Sequence, residues 1–193
     1  MHNRWLLMAV LGAGVVAALR GPASGGSGKR ASTLNTHPRG VKLETATFGG
    51  GCFWHVEDDF RQVEGVITTT VGFEGGSRPA PSYEEVCTNL TGHAEVVRIR
   101  FDPTRISYKE LLEVFFRIHD PTTLDRQGRD VGKQYRSVIF YHSPEQKAAA
   151  EEYKAGLEKS GRFKRPVVTE IAPASTFWKA EEYHQQYYEK QRS

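Results

Sequence analysis

The chain has 193 residues, of which 38% are hydrophobic and 25% charged, a composition typical of one soluble domain with a tail. Six of its 26 basic residues and none of its 23 acidic residues lie in residues 1–43, leaving 20 basic against 23 acidic residues in the remainder. The folded part therefore lacks the basic surface of a nucleic-acid-binding protein. Two cysteines exclude a disulfide framework and a four-cysteine zinc site, and the scattered histidines predict no metal site.

An apolar run at residues 5–19 lies between two arginines and precedes a Gly- and Ser-rich stretch without acids. Its length matches a signal-peptide core or a short anchor better than a full membrane span of about 20 residues. We therefore predict a targeting or anchoring segment with a flexible linker at residues 1–43 and a folded domain at residues 44–193. Residues 5–19 would export the protein from the cytosol to a secretory or periplasmic location or tether it to a membrane, and an organellar address is the alternative.

Strand and helix patterns alternate along the folded part. Apolar alternation, β-branched residues and flanking glycines predict strands at 43–51, 65–76, 94–102, 135–142 and 166–173. Helical spacing predicts helices at 52–63, 107–120, 143–161 and 177–191. Ser107 with Glu110 forms a capping box, and Ser143 with Pro144 gives a second helix start. The order predicts an α/β (α+β) fold, a two-layer sandwich whose mixed, ferredoxin-like sheet is covered by helices.

The stretch FGGGCFWHVEDDF contains the first cysteine, Cys52, directly after three glycines. Glycines let a strand turn sharply into a helix, so we expect Cys52 at a helix N-terminus. Free N–H groups and the helix dipole stabilise an anion there and lower a thiol pKa from about 8.5 to about 3.5–7.5. The alternative is a small buried hydrophobic residue. The acids at positions 57–59 are interpreted as ordinary dipole partners of the first turn.

Two further stretches carry polar groups suited to catalysis. Glu95 begins a strand after His93, and a carboxylate beside a thiolate would have a raised pKa, as a general acid requires. Asp130 lies in a polar loop, and Tyr135 leads a strand and could donate an uncharged hydrogen bond. The alternatives are a solvated strand-edge glutamate, a loop aspartate and a tyrosine half in the core.

Taken together, GCFWHVEDDF, SYEEVC with TGHAEVV, and GRDVGKQYRSVIFY resemble the motifs of A-type peptide methionine sulfoxide reductases in order and spacing. The late EEYHQQYYEK also resembles that family, so the similarity covers about residues 44–190. The resemblance implies reduction of methionine S-sulfoxide, protein-bound and free, through a cysteine sulfenic acid. It assigns Cys52 as nucleophile and Glu95 as the acid. The residues that it places at the substrate are Phe53, Trp54, Tyr83, Asp130 and Tyr135.

The family resemblance also implies what the enzyme works with. It implies no bound cofactor and no metal, an external thiol such as thioredoxin, glutaredoxin or dithiothreitol, and oxidised proteins or peptides as substrates. We expect a monomer. Many family members carry resolving cysteines in a C-terminal tail, whereas here Cys87 is the second and last thiol. We therefore expect an external thiol to reduce the sulfenic acid directly.

The sequence leaves two other functions open. A cysteine hydrolase with His93 as base would need an imidazole beside the thiol. A binding module could recognise oxidised methionine without reducing it. His55 stands after Trp54 where small residues are common in the family, and we expect it to face solvent.

Overall fold

The structure, a computed structural model, describes residues 40–192. The apolar run at residues 5–19 lies outside this range, as does most of the expected linker. The targeting segment and the domain start at residue 44 therefore stay predictions. Within residues 40–192, no helix has both the length and the apolar character needed to cross a membrane.

The described residues form eight strands and five α-helices. The strands are β1 (Glu44–Gly50), β2 (Val66–Glu74), β3 (Ala94–Phe101), β4 (Arg126–Gln127), β5 (Asp130–Val131), β6 (Ser137–Tyr141), β7 (Glu170–Pro173) and β8 (Trp178–Lys179). The helices are α1 (Phe53–Arg61), α2 (Tyr83–Cys87), α3 (Tyr108–Ile118), α4 (Pro144–Ser160) and α5 (Tyr187–Arg192). Short 3-10 turns occupy Lys133–Tyr135 and Glu182–His184.

Six strands form one sheet in the order β7-β6-β1-β3-β2-β8, and β4 pairs with β5 in a separate hairpin. Within the sheet β6 and β7 are parallel, and the other neighbours are antiparallel. The predicted mixed sheet is therefore confirmed. Because β3 and β6 both run against β1, the end of β1 lies beside the beginnings of β3 and β6.

The main core lies between the sheet and the helices. Phe48 of β1 stacks on Phe60 of α1 at 5.4 Å and on Phe115 of α3 at 4.9 Å between ring centroids. The other face of the sheet buries a smaller cluster, which includes Val96 and Phe140 and is covered by the segment after β7. Helices on one face and a thin covering segment on the other confirm the predicted two-layer architecture.

Local signals start the helices as predicted. Ser107 accepts a hydrogen bond from the Glu110 N–H while the Glu110 carboxylate accepts one from the Ser107 N–H, so the capping box is complete. Ser143 caps α4 through the Gln146 N–H, with Pro144 in the first turn. These motifs need only three neighbouring residues, which explains why the sequence reveals them.

Three local predictions are wrong. The single helix predicted at 177–191 is instead β8, a 3-10 turn and α5. Gln185 interrupts it, because its side-chain amide bonds the Val71 N–H and C=O, each at 3.0 Å, and the next residue, Gln186, has a φ of 50°. Tyr135 ends a 3-10 turn before β6, and the strand at 166–173 is reduced to Glu170–Pro173.

Candidate active site

The topology brings three of the predicted residues to one edge of the sheet. Cys52 follows the end of β1, Glu95 is the second residue of β3, and Tyr135 lies two residues before β6. Since β3 and β6 flank β1 and both pair with it antiparallel, these positions lie side by side although they are about 40 residues apart in sequence. The candidate site is this edge together with the start of α1.

A glycine turn sets the position of Cys52. Gly51 has a φ of 100°, which is accessible to glycine and rare for other residues. A Cβ atom at Gly51 would lie 2.7 Å from Cγ of Gln127, so the side chain of Gln127 packs directly on the turn. Cys52 is the N-cap of α1, and its C=O accepts hydrogen bonds from His55 and Val56. The predicted helix start at Cys52 is confirmed.

Glu95 is a buried carboxyl at the same helix start. It is 1% exposed, and its Oε2 accepts a hydrogen bond of 3.1 Å from the Phe53 N–H. Its Oε1 is buried without a hydrogen-bond partner among the described residues. Burial raises the pKa of Glu95 to about 8; the Phe53 N–H opposes this shift, and the charge of Asp130 adds to it. The predicted rise is confirmed, and a solvated strand-edge glutamate is excluded.

The expected lowering of the Cys52 pKa is wrong. Burial is the largest effect and raises the pKa to about 12, and the charges of Glu95 and Asp130 add to it. The Trp54 and His55 N–H groups face the sulfur and pull the pKa down, as expected for a helix N-terminus. The dipole effect is therefore present but smaller than the desolvation of a half-buried thiol beside two carboxyl groups.

Two tyrosines and an aspartate complete the polar side of the site. Burial is the main reason that the pKa values of Tyr83 and Tyr135 are raised, the latter to about 12, so both hydroxyls stay protonated donors at neutral pH. The charge of Glu95 contributes to both shifts, which places the two rings near its carboxyl. The Tyr83 hydroxyl also lies near the thiol of exposed Cys87.

The two aromatic residues after Cys52 differ in their surroundings. Phe53 is 1% exposed and packs against Phe73 at 5.8 Å and Tyr83 at 6.3 Å between centroids, so core packing accounts for most of its ring. Trp54 is partly buried. Its Nε1–H donates a 3.0 Å hydrogen bond to His184 Nδ1, and Tyr187 stacks on its indole at 3.9 Å with an interplanar angle of 9°.

His184 and Tyr187 are therefore contacts of Trp54 that the sequence reasoning missed. Both lie in the stretch EEYHQQYYEK, which resembles the family and lies within the helix predicted at 177–191. That resemblance was the available signal. Both residues contact Trp54 of α1, from the two sides of Gln186, whose φ is 50°.

The remaining histidines of the motifs have other partners. His93 accepts a hydrogen bond at Nδ1 from the Gly76 N–H at 3.0 Å, so Nε2 carries the proton that is donated to the Arg78 C=O at 2.7 Å. Both nitrogens are occupied by backbone, and His93 has no free nitrogen to act as a base on Cys52. His55 is exposed as expected, and its Nε2 lies 2.7 Å from the Tyr188 hydroxyl.

The interpretation of Glu57 as a dipole partner is wrong. Glu57 is 1% exposed and accepts hydrogen bonds from Thr69 and Gln186. Glu57 is the fifth residue of α1, and its side chain faces the sheet and the C-terminal segment. It therefore lies in the interior of the protein. Among residues 40–192, no group of three His, Cys, Asp or Glu side chains is arranged to hold a metal ion.

The site combines a cysteine at a helix start, a buried carboxyl that is mainly protonated near pH 7, and two uncharged tyrosine donors. Nucleophile and proton donor therefore lie together beside a partly buried indole. These features define a cysteine-dependent enzyme that supplies a proton to a polar atom of its substrate. They do not provide the oriented imidazole of a cysteine hydrolase.

Comparisons with known proteins identify the family. The model of the family described as peptide methionine sulfoxide reductase matches residues 44–193. A Methanosarcina mazei protein described as peptide methionine sulfoxide reductase MsrA is 66% identical over 151 residues, covering 78% of this chain and 72% of that protein. Reduced Mxr1 from Saccharomyces cerevisiae superposes with a TM-score of 0.73 at 34% identity, covering 80% of this chain and 92% of Mxr1. The complex of Mxr1 with Trx2 gives a TM-score of 0.54 at 25% identity, with coverages of 81% and 91%.

The chain belongs to the peptide methionine sulfoxide reductases, and within them to the A type. It is an oxidoreductase that reduces methionine sulfoxide, a peptide-methionine (S)-S-oxide reductase. The sequence resemblance is therefore confirmed. Neither a hydrolase nor a non-catalytic reader of oxidised methionine is favoured by these relatives.

Proposed function

We propose that Cys52 is the nucleophile of this reductase and that Glu95 is the acid that protonates the sulfoxide oxygen. The observation that carries this proposal is the shared helix start. The Phe53 N–H binds the Glu95 carboxyl, while the next two N–H groups face the sulfur of Cys52. A sulfoxide sulfur is a poor electrophile until its oxygen is protonated or strongly hydrogen-bonded, so an acid beside the nucleophile meets the chemical need.

The protonation states favour a coupled transfer. With pKa values of about 12 for Cys52 and about 8 for Glu95, both groups hold their protons near pH 7. As the sulfur of Cys52 attacks the substrate sulfur, Glu95 gives its proton to the departing oxygen and takes up the proton that the thiol loses. A preformed thiolate is not required, and the two carboxyl groups near Cys52 do not oppose the reaction.

The atoms and electrons balance in a single oxygen transfer. The attack forms a bond between the two sulfurs. This bond and the sulfur–oxygen bond of the sulfoxide then break as the protonated oxygen moves to Cys52, and the methionine sulfur leaves with two more electrons. The oxygen ends on Cys52, whose sulfur loses two electrons and becomes a sulfenic acid. The sulfenic acid carries the proton that Glu95 gave to the oxygen, and Glu95 is protonated again by the proton that the thiol lost.

Five other predicted residues take supporting roles in this proposal. Tyr83 and Tyr135 are uncharged donors that hydrogen-bond the sulfoxide oxygen, which suits their raised pKa values. Trp54 forms an apolar wall for the S-methyl group, with Phe53 behind it in the core. Asp130 lies close enough to raise the pKa of Glu95 and so helps to keep the acid protonated.

We further propose that an external thiol reduces the Cys52 sulfenic acid. The Mxr1–Trx2 complex of the yeast relative supports a thioredoxin-like reductant. Glutaredoxin and small thiols such as dithiothreitol are the other candidates. Cys87→Ser is expected to retain multiple turnover with dithiothreitol, and loss of turnover would show that Cys87 is required for resolution.

A single assay tests the assignment of the reaction. The wild type, Cys52→Ser and Cys87→Ser are incubated with a peptide carrying methionine S-sulfoxide and dithiothreitol, and methionine formation is followed by mass spectrometry. Product is expected from the wild type and Cys87→Ser only. No product from the wild type would contradict the function, and product from Cys52→Ser would contradict the choice of nucleophile.

The cellular location and assembly are also proposals. The apolar run at residues 5–19 supports export from the cytosol or membrane tethering, and a monomeric enzyme would suit substrates as large as folded proteins. N-terminal sequencing of the mature protein distinguishes a cleaved signal from a retained anchor. Recovery of the uncleaved chain from the soluble cytosolic fraction would contradict the proposed address.

A further inference from the structure

Glu57 is a buried carboxylate whose role lies outside the chemistry proposed above. It is 1% exposed, and no described lysine or arginine forms an ion pair with it. Its Oε1 accepts hydrogen bonds from the Thr69 hydroxyl at 2.9 Å and from Gln186 Nε2 at 3.1 Å. Its Oε2 accepts one from the Gln186 N–H at 2.8 Å. The Thr69 hydroxyl also accepts a hydrogen bond from Arg61, so a guanidinium lies one side chain away. Burying a carboxyl group is costly unless its oxygens are hydrogen-bonded, and these contacts satisfy both oxygens of Glu57.

The partner of this carboxylate lies in the middle of an irregular segment. Gln186 has a φ of 50°, between the 3-10 turn at Glu182–His184 and the start of α5. The 3-10 turn and α5 have backbone hydrogen bonds on either side of Gln186, and the Gln186 N–H itself donates to Glu57. Gln185 ties this segment to Val71 of β2, and Glu57 ties it to α1. The segment is thus held between helix and sheet by two side chains.

The residues on either side of this tie contact the indole of Trp54. His184 accepts the hydrogen bond of the indole N–H, and Tyr187 stacks on the ring at 3.9 Å. Trp54 and Glu57 are three residues apart in α1 and therefore project from the same side of the helix. Helix α1 thus carries Trp54 and also Glu57, which holds the segment that contains His184 and Tyr187.

We propose that Glu57 is a positioning residue that sets the orientation of Trp54 by holding Gln186, and through it His184 and Tyr187. The inference rests on the proposed function of Trp54 as the wall for the substrate's methyl group. Without the carboxylate, the segment loses both hydrogen bonds that Gln186 donates to Glu57, and the indole loses its fixed neighbours. Substrate binding should then weaken more than the chemical step, because Cys52 and Glu95 are held by other contacts.

Two substitutions at this position separate its possible roles. Glu57→Ala removes all three acceptor contacts. Glu57→Gln retains an oxygen for the Gln186 N–H, and its NH₂ can donate to the Thr69 hydroxyl and to the Gln186 side-chain oxygen after that amide rotates by 180°. The glutamine variant should therefore restore positioning although it lacks the charge.

A matched control lies at the opposite end of the sheet. Gln146 is 6% exposed, accepts a hydrogen bond from the His142 N–H at 2.9 Å and donates one to the Thr45 C=O at 2.8 Å. Gln146→Ala also removes a buried polar anchor, but Thr45 lies at the far end of β1 from Cys52. The Gln146→Ala variant therefore shows how a general loss of stability affects kcat and KM.

The experiment measures kcat and KM with a methionine S-sulfoxide peptide and dithiothreitol, and the NMR signal of the Trp54 indole N–H, identified with Trp54→Phe. Glu57→Ala is expected to raise KM by about tenfold, the value of one aromatic contact, and to shift the indole signal, with a smaller change in kcat. Glu57→Gln should stay near the wild type in both. Gln146→Ala should change the stability alone.

The outcomes separate this inference from the proposed function. An unshifted indole signal in folded Glu57→Ala overturns the positioning role, and so does an equal rise of KM in Gln146→Ala. Should Glu57→Ala not fold, Gln186→Gly keeps the left-handed backbone, removes one of the three bonds and must also shift the signal. A wild type without reductase activity would overturn the proposed function, whereas the indole signal would still decide whether Glu57 holds Trp54.

Discussion

Replacing Glu95 with glutamine removes a proton equilibrium from the core while keeping the shape of the side chain. The glutamine oxygen can still accept the hydrogen bond from the Phe53 N–H, which is 3.1 Å long in the structure. The amide can donate a hydrogen bond to a sulfoxide oxygen but cannot give it a proton. We therefore expect kcat to fall by about 10²–10⁴-fold, the usual contribution of a general acid.

The same substitution should make the protein more stable at neutral pH. The folded-state pKa of Glu95 is about 8, against 4.5 for an ordinary glutamate. Between these values the folded chain keeps the proton and the unfolded chain releases it, so the free energy of unfolding falls by about 1.4 kcal/mol for each pH unit of increase. The loss in the free energy of unfolding caused by Glu95 is about 3 kcal/mol at pH 7 and almost nothing at pH 4.

Urea unfolding of the wild type and Glu95→Gln at pH 4, 5.5 and 7 tests this magnitude. The variant should gain about 3 kcal/mol on the wild type between pH 4 and pH 7. Glu158→Gln, which removes an exposed glutamate of α4, should track the wild type within about 0.5 kcal/mol. A difference between Glu95→Gln and the wild type that is the same at every pH would refute the reasoning, because Glu95 would then titrate normally in the folded state.

Three further predictions follow from the site. In pH profiles, wild-type kcat/KM should decline as pH rises through about 8, where Glu95 of the free enzyme loses its proton, and a flat profile above pH 8 would contradict its role as acid. Iodoacetamide should alkylate Cys52 of the wild type slowly at pH 8, because its pKa is raised, and should alkylate Glu95→Gln faster. Mass spectrometry follows both rates, and equal rates would show that Glu95 does not raise the thiol pKa. Gly51→Ala should lower the free energy of unfolding in urea by about 1–3 kcal/mol and lower kcat, because alanine is strained at a φ of 100°. Wild-type stability and kcat in this variant would show that the turn does not need glycine.

The local sequence was a reliable guide wherever the structure depends on neighbouring residues. The glycine turn before Cys52, the capping box of Ser107 with Glu110, and the Ser143 cap all involve hydrogen bonds or backbone angles within a few positions. Alternating apolar residues likewise indicated the central strands. The segment after β8 was mispredicted because its backbone depends on Gln185 binding Val71, a contact between residues 114 positions apart.

The charges in the site could not be predicted in the same way. A helix N-terminus favours the Cys52 thiolate, and the sequence shows that feature, but burial and Glu95 outweigh it. The raised pKa of Glu95 was expected from a neighbouring charge, yet burial is its main cause. Glu57 had the pattern of a surface acid and is buried against Thr69 and Gln186.

The sequence by itself determined the order of the main strands and of the helices α1, α3 and α4, the helix start at Cys52 and the motifs that resemble the family. These features come from periodicity, glycine conformations and short-range caps, which act within about one turn or one strand. The tertiary structure decided which groups are charged and which residues hold Trp54. Desolvation depends on every atom that surrounds a group, and for Cys52, Glu95 and Trp54 those atoms come from strands and a C-terminal segment distant in the chain.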